Sequence, residues 1–475
     1  MLATSPAFKR NAREAIADAG LQKALANSRP QFMARRARAV AALPEFERLR
    51  DIGRDIKNHT LANLDAYLEL YEARVLASGG HVHWCPTADE ARDAVLNICR
   101  DANARTVTKG KSMIAEELGI NEHLEQHGIE PVETDLGEYI IQLRREPPSH
   151  IIAPAFHLNR EDWEAQFRKS HTDLPADRAF TERRDILTEA RTKLRKRFLA
   201  ADIGITGANF LIAETGSSVI VTNEGNGDLT QTLPRVHIVL ASIEKIVPTL
   251  EDATSMLRLL ARSATGQDFS VYTTFSTGGR RPDDLDGPAE YHVILVDNGR
   301  SAMLGTDFQD MLRCIRCAAC MNHCPVYGAV GGHAYGWVYP GPMGSVLTPS
   351  LIGVDVAGQL PNASTFCGTC ESVCPVRIPL PNLMRHWRER EFERHLTPAT
   401  VRANLGLWAW VAQRPALYRH TTRLASNVLS WLGGRRGRFG RLPLAGGWTA
   451  GRDMPVPEGG TFFSRYAARE RETVA

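Results

Sequence analysis

The sequence has no hydrophobic run long enough to cross a bilayer. Its most tempting apolar stretch, LGLWAWVA at 405–412, is far shorter than the roughly 18 residues that a transmembrane helix needs. The opening residues, MLATSPAFKRNAREAIADAG, contain no apolar core of signal-peptide length, so we expect no export by that route. The sequence therefore predicts a cytoplasmic protein without a transmembrane segment.

Complete nucleotide-binding fingerprints are also absent. The nearest approach to G-x-G-x-x-G is GNGDLT at 225–230, where Thr230 replaces the third glycine. TKGKS at 108–112 contains the end of a Walker A motif, but Arg105 stands where that motif needs its first glycine. We interpret both stretches as turns, and we expect the chain to lack a flavin or nicotinamide site of its own.

Cysteine is scarce outside one region. Of nine cysteines in 475 residues, seven fall between Cys314 and Cys374, and only Cys85 and Cys99 lie elsewhere, where we expect them to be small buried residues. This density is too low for a disulfide scaffold, and clustered cysteines in a reducing compartment are typical of metal sites.

Charge is unevenly distributed along the chain. From Arg388 to the last residue there are fifteen arginines, no lysine and seven acidic residues, a net charge of about +8 against about −5 for the rest. Such a segment could meet a nucleic acid, an anionic membrane surface or an acidic partner, or it could be a solvated tail.

Hydrophobic patterning divides the chain into four parts. Apolar residues at three- and four-residue spacings predict a helical N-terminal region over 1–78. Short β-rich segments, among them RTVTKG, IEPVETD and YIIQLR, alternate with amphipathic ones over 79–300, which predicts an α/β domain with a parallel or mixed sheet. We expect a helical cysteine-containing domain over 301–395 and a basic, Trp- and Arg-rich C-terminal extension over 396–475.

The first cysteine motif is CIRCAACMNHCP at 314–325. Its C-x2-C-x2-C-x3-C spacing, followed by Pro325, is typical of an iron–sulfur cluster whose fourth ligand comes from elsewhere. Structural zinc sites usually use two C-x2-C pairs separated by a longer loop, so zinc is the weaker alternative.

The second motif, Cys367-x2-Cys370-x3-Cys374, repeats the first with Ser364 in place of its first cysteine. In two-cluster proteins the fourth cysteine of each motif binds the other cluster. We therefore expect the two ligand sets Cys314, Cys317, Cys320, Cys374 and Cys324, Cys367, Cys370. The cofactors would be two iron–sulfur clusters of the [4Fe–4S] type, the second completed by Ser364, by another non-cysteine ligand or by solvent, or else of the [3Fe–4S] type.

Several stretches resemble the LUD domain of the lactate utilization proteins, namely TKGKSMIAEELGINEHL, ETDLGEYIIQL, PSHIIAPAFH and AETGSSVIVTNEGN. With CIRCAACMNHCPVYG and CGTCESVCPVRIPL behind them, their order resembles the lactate utilization protein B family over roughly residues 60–395. That resemblance implies a CoA-transferase- and ribose-phosphate-isomerase-like sheet with flanking helices, followed by an all-helical ferredoxin-type domain.

The resemblance also implies a function. Family members are regarded as electron-transporting iron–sulfur subunits of a system that oxidises L-lactate to pyruvate, beside a second cysteine-rich protein and another LUD protein. The resemblance places the family's cluster ligands on the seven clustered cysteines. It also implies that family members share the shortened second motif.

Residues of the LUD-like region offer a second, weaker candidate site. Glu214, Thr215 and Ser217 of AETGS could form a polar loop at the end of a strand, and Lys109 and Lys111 could bind a carboxylate or phosphate. A tight turn and a helix start explain the same residues more simply.

Three functions remain open from sequence. The first is electron transfer within a lactate-oxidising complex. The second is a stand-alone LUD enzyme for acyl or CoA-type transfer or isomerisation, with regulatory clusters and an activated glutamate in AETGS. The third, nucleic-acid binding by the basic end, is the weakest because no base-reading motif accompanies the arginines, and we expect no nucleic-acid partner. The basic C-terminal extension is also compatible with peripheral contact with a membrane.

Overall fold

A computed structural model describes residues 3–433, 437–442, 446, 449, 451–458 and 460–474. The chain divides into two compact units, Met1–Glu391 and Phe392–Ala475. The first unit contains the six-stranded and four-stranded sheets and all the clustered cysteines.

Helices account for most of the regular structure in the described residues. The α-helices are α1 (Phe8–Ala17), α2 (Ala19–Ala41), α3 (Phe46–Ala62), α4 (Leu64–Ala77), α5 (Ala88–Asp101), α6 (Met113–Leu118), α7 (Ile120–Gln126), α8 (Leu136–Arg144), α9 (Arg160–Ser170), α10 (Arg183–Ala200), α11 (Asn226–Thr232), α12 (Leu250–Ala264), α13 (Ala319–His323), α14 (Pro325–Val330), α15 (Gly341–Ile352), α16 (Val354–Ala357), α17 (Gln359–Asn362), α18 (Thr369–Ser372), α19 (Leu380–Glu393), α20 (Ala399–Ala412), α21 (Pro415–Gly433) and α22 (Phe462–Val474).

The strands of the described residues form three sheets. They are β1 (His81–Cys85), β2 (Thr106–Lys109), β3 (Glu130–Glu133), β4 (Ile203–Gly207), β5 (Phe210–Ile212), β6 (Ser217–Thr222), β7 (Val236–Ser242), β8 (Ile246–Val247), β9 (Tyr272–Ser276), β10 (Glu290–Val296), β11 (Arg438–Phe439) and β12 (Met454–Pro455).

A six-stranded parallel sheet organises the first unit, with strand order β1-β10-β7-β4-β2-β3. Its central strand β7 reads VHIVLAS and is buried at every position, as expected for a strand covered on both faces. Ile238 and Leu240 pack into the core on one face, whereas Val239 and Ala241 pack into the core on the other. The parallel sheet with helices on both sides confirms the α/β class predicted from sequence.

The chain reverses its direction across this sheet between β2 and β4. From β2 it continues outward to β3, then returns to β4 beside β2 and proceeds the other way to β7 and β10. The carboxyl ends of the two strands on either side of such a reversal diverge and leave a crevice, which is where open α/β sheets bind ligands.

A smaller sheet, ordered β8-β5-β6-β9, lies within the same unit. Strands β5 and β6 form an antiparallel hairpin whose turn is Ala213 to Gly216. Gly216 has φ +71°, and a Cβ there would lie 2.8 Å from the backbone of Arg74, so this turn requires glycine for both reasons.

The cysteine region consists of short helices that share one hydrophobic core with the N-terminal helices. Phe8 of α1, Leu25 of α2 and Leu49 of α3 belong to the same cluster of buried side chains as Cys317 and Cys374. The N-terminal helices therefore build the environment of the cysteine loops.

One predicted strand is wrong. YIIQLR lies in α8, which begins because the Asp135 carboxylate accepts hydrogen bonds from the backbone N–H groups of Gly137 and Glu138 at 2.8 and 3.2 Å. The run of β-branched and aromatic residues is explained by burial of one helix face against α9 and α10, not by strand pairing.

None of the helices within the described residues is long and apolar enough to span a membrane.

Candidate iron–sulfur centre and the cavity beside it

The first cysteine motif forms a tight loop followed by a short helix. Cys314 follows a 3-10 helix over Gln309–Arg313, and α13 begins at Ala319. Between them Arg316 and Ala318 adopt φ +58° and +59°, a left-handed conformation that costs non-glycine residues roughly 1–2 kcal/mol each. The surrounding packing holds this loop in a conformation that the isolated segment would avoid.

Cysteines from both motifs meet at one small cavity. Cys314, Cys317 and Cys320 line it from the first motif, and Cys374 lines it from the second. Apolar side chains, including Met343 and Leu380, form the rest of its wall. Across the described ranges, no three His, Cys, Asp or Glu residues form a group that could hold a single metal ion.

The remaining three cysteines are neighbours of one another. Burial raises the pKa of the Cys370 thiol to about 12, and the adjacent Cys324 and Cys367 raise it further. Cys367 is exposed, and hydrogen bonds from the Thr369 hydroxyl and backbone lower its pKa. This second group therefore lies nearer the surface than the first.

Backbone amides are directed at several of the sulfurs. The Ile378 N–H donates to the Sγ atom of Cys374 at 3.3 Å, and backbone hydrogen bonds from Val326 and Tyr327 favour the thiolate of Cys324. Burial nevertheless raises the pKa of Cys374 to about 11, so without a bound cation the thiol stays protonated. Four thiols around an apolar cavity with amide donors aimed at sulfur fit the requirements of an iron–sulfur cluster.

Arginines of the N-terminal helices support the cysteine loops. Arg50 of α3 donates to the carbonyl oxygens of Ser372 and Cys374, both at 2.8 Å, and its Nη1 pairs with Glu47. Arg36 of α2 donates to the carbonyl of Val373 at 3.0 Å. Our sequence reasoning missed both residues. The sequence did offer a sign of the buried position of Arg50, because this arginine lies on the helix face that carries the buried Phe46 and Leu49.

Ser364 lies three residues before Cys367, in the segment that follows α17. Its hydroxyl accepts a hydrogen bond from the Phe366 N–H at 3.1 Å, and its carbonyl accepts one from Arg388 at 3.0 Å. Ligation by Ser364 stays a prediction.

A larger cavity of about 340 Å³ opens where β2 and β4 diverge. Residues that follow β2 (Gly110 to Ser112) and residues that follow β4 (Ala208 and Asn209) line it. Its charged lining residues are Lys111, Asp135, Glu224, Lys245 and Arg316.

The charges are distributed along this cavity. Burial, together with Asp135, raises the pKa of Glu224, while Lys111 opposes that increase. Burial next to the Arg316 guanidinium lowers the pKa of Lys245 to about 7. Lys111 donates to the carbonyl of Ile152 at 2.6 Å.

The structure does not bring the five LUD candidate residues together. Only Lys111 lines the cavity. Lys109 is buried in ion pairs with Glu116 at 3.0 Å and Glu133 at 2.6 Å, which raise its pKa against the effect of burial. Glu214, Thr215 and Ser217 lie in and beside the β5–β6 turn, away from the cavity lining. Glu214 accepts a hydrogen bond there from the Leu250 N–H at the start of α12.

Comparison with known proteins defines the class. The model of the LUD domain matches residues 68–296, and the model of the 4Fe–4S dicluster domain matches residues 310–378. The chain thus joins a LUD domain to a domain of the dicluster iron–sulfur type. A third model, "Lactate utilisation protein B, C-terminal", matches residues 388–471.

Relatives match over nearly the whole length. Lactate utilization protein B of Macrococcus caseolyticus is 44% identical over 96% of this chain and 95% of that protein. Lactate utilization protein B of Bacillus subtilis is 41% identical over 98% of this chain and 96% of that protein. The "uncharacterized electron transport protein YkgF" of Escherichia coli is 41% identical over 98% of each chain. The chain belongs to the lactate utilization protein B family.

Proposed function

We propose that this protein is the iron–sulfur electron-transfer subunit of a complex that oxidises L-lactate to pyruvate. The observation that carries the proposal is the cavity lined by three cysteines of the first motif and by Cys374 of the second. Support comes from the dicluster domain match and from relatives named for lactate utilization and electron transport. The other subunits would be a second cysteine-rich protein and another LUD protein.

In this proposal two clusters bind in a crossed arrangement. Cys314, Cys317, Cys320 and Cys374 would hold the first, and Cys324, Cys367 and Cys370 the second, with Ser364, another ligand or a missing iron at its fourth corner. Iron–sulfur clusters supply one-electron transfer, and the protein tunes their potential through hydrogen bonds to sulfur and through solvent exposure.

The chain's own residues shape the two sites differently. Around the first site, apolar walls exclude water, and the Ile378 amide donates to the sulfur of Cys374. Around the second site, the exposed Cys367 brings a ligand to the surface, which suits exchange of electrons with a partner.

A stand-alone transferase or isomerase is less well supported. That function needs an activated glutamate of AETGS at a substrate cavity, but Glu214 caps α12 and does not line the cavity at β2 and β4.

The test is anaerobic purification of the full chain, followed by iron and sulfide assay and EPR before and after dithionite reduction. We expect two reducible clusters. Zinc in place of iron, or a single cluster, would contradict the proposal.

A measurement on the assembled system tests the role. With its two partner proteins and L-lactate, the chain should become reduced, as followed by loss of cluster absorbance. Without the partners, the isolated chain should show no acyl-transfer or isomerase turnover.

A further inference from the structure

One wall of the cavity between β2 and β4 carries a guanidinium that is only partly paired. Arg316 donates through Nη2 to Glu244 at 3.2 Å and stacks on Tyr339 at 4.8 Å, while its Nη1 is buried without a hydrogen-bond partner. The side chain is only 10% exposed. A buried guanidinium N–H without a partner is costly, which favours an acceptor at this position.

Lys245 adds a second basic side chain to the same wall. In the part of the chain that the structure describes, its ammonium lines the cavity without a hydrogen bond or a carboxylate within ion-pair distance, although the charges of Glu244 and Cys314 attract it. The nearest carboxylate, that of Glu244, already pairs with two arginines. They are Arg316 and Arg300, and the Nε atom of Arg300 lies 3.1 Å from a carboxylate oxygen of Glu244. Positive charge therefore exceeds negative charge at this end.

A further buried cation lies behind this wall. Lys57 of α3 is fully enclosed and donates to the carbonyl oxygens of Glu244 and Ile246. No carboxylate pairs directly with Lys57, and although Glu244 attracts it, its charge adds to the positive potential at Lys245 and Arg316.

The cationic end of the cavity adjoins the first group of cysteines. Arg316 and Ile151 line the cavity between β2 and β4 and also line the cavity of Cys314, Cys317, Cys320 and Cys374. One layer of side chains thus separates the two spaces.

The lining of the cavity also contains groups that accept hydrogen bonds. They include Asp135, Glu224 and Asn226, and the buried Oδ1 of Asn226 has no hydrogen-bond partner. A ligand with an anionic group and a separate donor such as a hydroxyl would satisfy both the basic side chains and these acceptors.

We propose that this cavity binds a small organic carboxylate of the 2-hydroxy or 2-oxo acid class, its carboxylate held between Lys245 and Arg316. The inference rests on the proposed function, because it locates the substrate or product of that function beside the first cluster site. Three features of the fold carry it: the reversal between β2 and β4, the unpartnered cations, and the shared wall with the cysteine cavity.

The same cations have a competing explanation, namely neutralisation of the charge of the adjacent thiolates. The two explanations differ in a measurable way. A neutralising role predicts that removal of a cation changes the reduction potential of the first cluster and leaves carboxylate binding unaffected, whereas a binding role predicts loss of affinity.

The experiment measures binding to the anaerobic full-length protein by ligand-observed NMR with L-lactate, pyruvate and inorganic phosphate as separate probes. L-lactate and pyruvate should bind and compete with each other. Lys245→Gln should weaken both by roughly tenfold or more, as expected for loss of a charged hydrogen-bond partner, and Lys245→Arg should restore part of the affinity. The matched control is Lys169→Gln, since Lys169 is an exposed lysine of α9 and should bind as the unaltered protein does.

The outcomes separate failure of this inference from failure of the proposed function. Iron content and EPR of each variant establish whether the clusters are present. Intact, reducible clusters without carboxylate binding would overturn the inference and leave the proposed function standing. Equal binding by the unaltered protein and a folded Lys245→Gln variant would overturn it as well, and so would binding of phosphate alone. Hyperfine coupling between ¹³C-labelled lactate and the reduced first cluster, observed by ENDOR, would support it.

Discussion

Arg50 of α3 donates two hydrogen bonds to one carbonyl oxygen of Cys374, from Nε at 3.0 Å and from Nη2 at 2.8 Å. The N-terminal helices are therefore structural components of the iron–sulfur site. Arg50 is 5% exposed, so these hydrogen bonds form away from competing water.

Arg50→Ala should lower the free energy of unfolding by ~2–4 kcal/mol, because the buried carbonyl of Cys374 loses both guanidinium donors and keeps only the Arg377 N–H at 3.3 Å. It should also reduce the iron bound per chain. Chemical denaturation and iron assay measure the two effects. Arg48→Ala is the control, since Arg48 lies exposed on the same helix. Similar losses in both variants would contradict the structural role of Arg50.

Local sequence determines part of this site and tertiary packing determines the rest. The spacing of Cys314, Cys317 and Cys320 is a local pattern, so it indicates the chemistry without any knowledge of the fold. Arg50 and Cys374 are more than three hundred residues apart in the sequence, and no periodicity in either segment predicts their contact.

The LUD region shows the same limit. Strands such as β7 and β10 are predictable because their apolar runs are long and buried, and the α/β class follows from them. The AETGS stretch follows a strand, but its strand pairs into the smaller sheet as a hairpin, so the loop does not reach the cavity at β2 and β4. Arg316 reaches that cavity from the cysteine motif, where sequence reasoning considered only the thiols.

Exchange of single cysteines tests the crossed ligand sets. Cys374→Ala should abolish the first cluster and retain the second, because Cys374 lines the cavity of Cys314, Cys317 and Cys320. Cys324→Ala should do the reverse, because its neighbours are Cys367 and Cys370. Mössbauer and EPR spectra of the anaerobic variants measure the loss.

Cys99→Ala is the control for these exchanges, since Cys99 is buried in the core beside the parallel sheet. If Cys374→Ala removed the second cluster instead, each motif would bind its own cluster and the crossed assignment would be wrong.

Replacement of Ser364 tests the fourth corner of the second cluster. The Ser364 hydroxyl already accepts a hydrogen bond from the Phe366 N–H. We therefore expect Ser364→Ala to cost about 1 kcal/mol of stability and to leave the EPR spectrum of the second cluster unchanged. Ser364→Cys should add a thiolate and raise the proportion of [4Fe–4S] signal. A changed spectrum in Ser364→Ala would instead identify the serine as a ligand.

His237 makes stability depend on pH. It lies on β7, 1% exposed, with its Nε2 2.8 Å from the Thr206 hydroxyl, and burial lowers its pKa to about 3. An unfolded histidine titrates near pH ~6.5. The folded-state pKa is thus depressed, so the stability that neutral His237 contributes is fully present above that pH. It is lost as the pH falls toward 3, because the unfolded chain takes up a proton that the folded chain refuses.

His237→Gln should remove this dependence. Near pH 7 the variant should be less stable than the unaltered protein, because the glutamine repacks poorly beside Thr206 and Tyr291. Between pH 6.5 and 5 the unaltered protein should lose up to ~1.4 kcal/mol per pH unit through this residue, so the difference between the two should narrow. Denaturant titrations at each pH measure that difference, in which the contribution of the clusters cancels. The control is His420→Gln, at an exposed histidine of α21, for which the difference in free energy of unfolding from the unaltered protein should stay constant across this pH range. A constant difference for His237→Gln would contradict the prediction, because it would show that His237 is protonated in the folded protein as readily as in the unfolded chain.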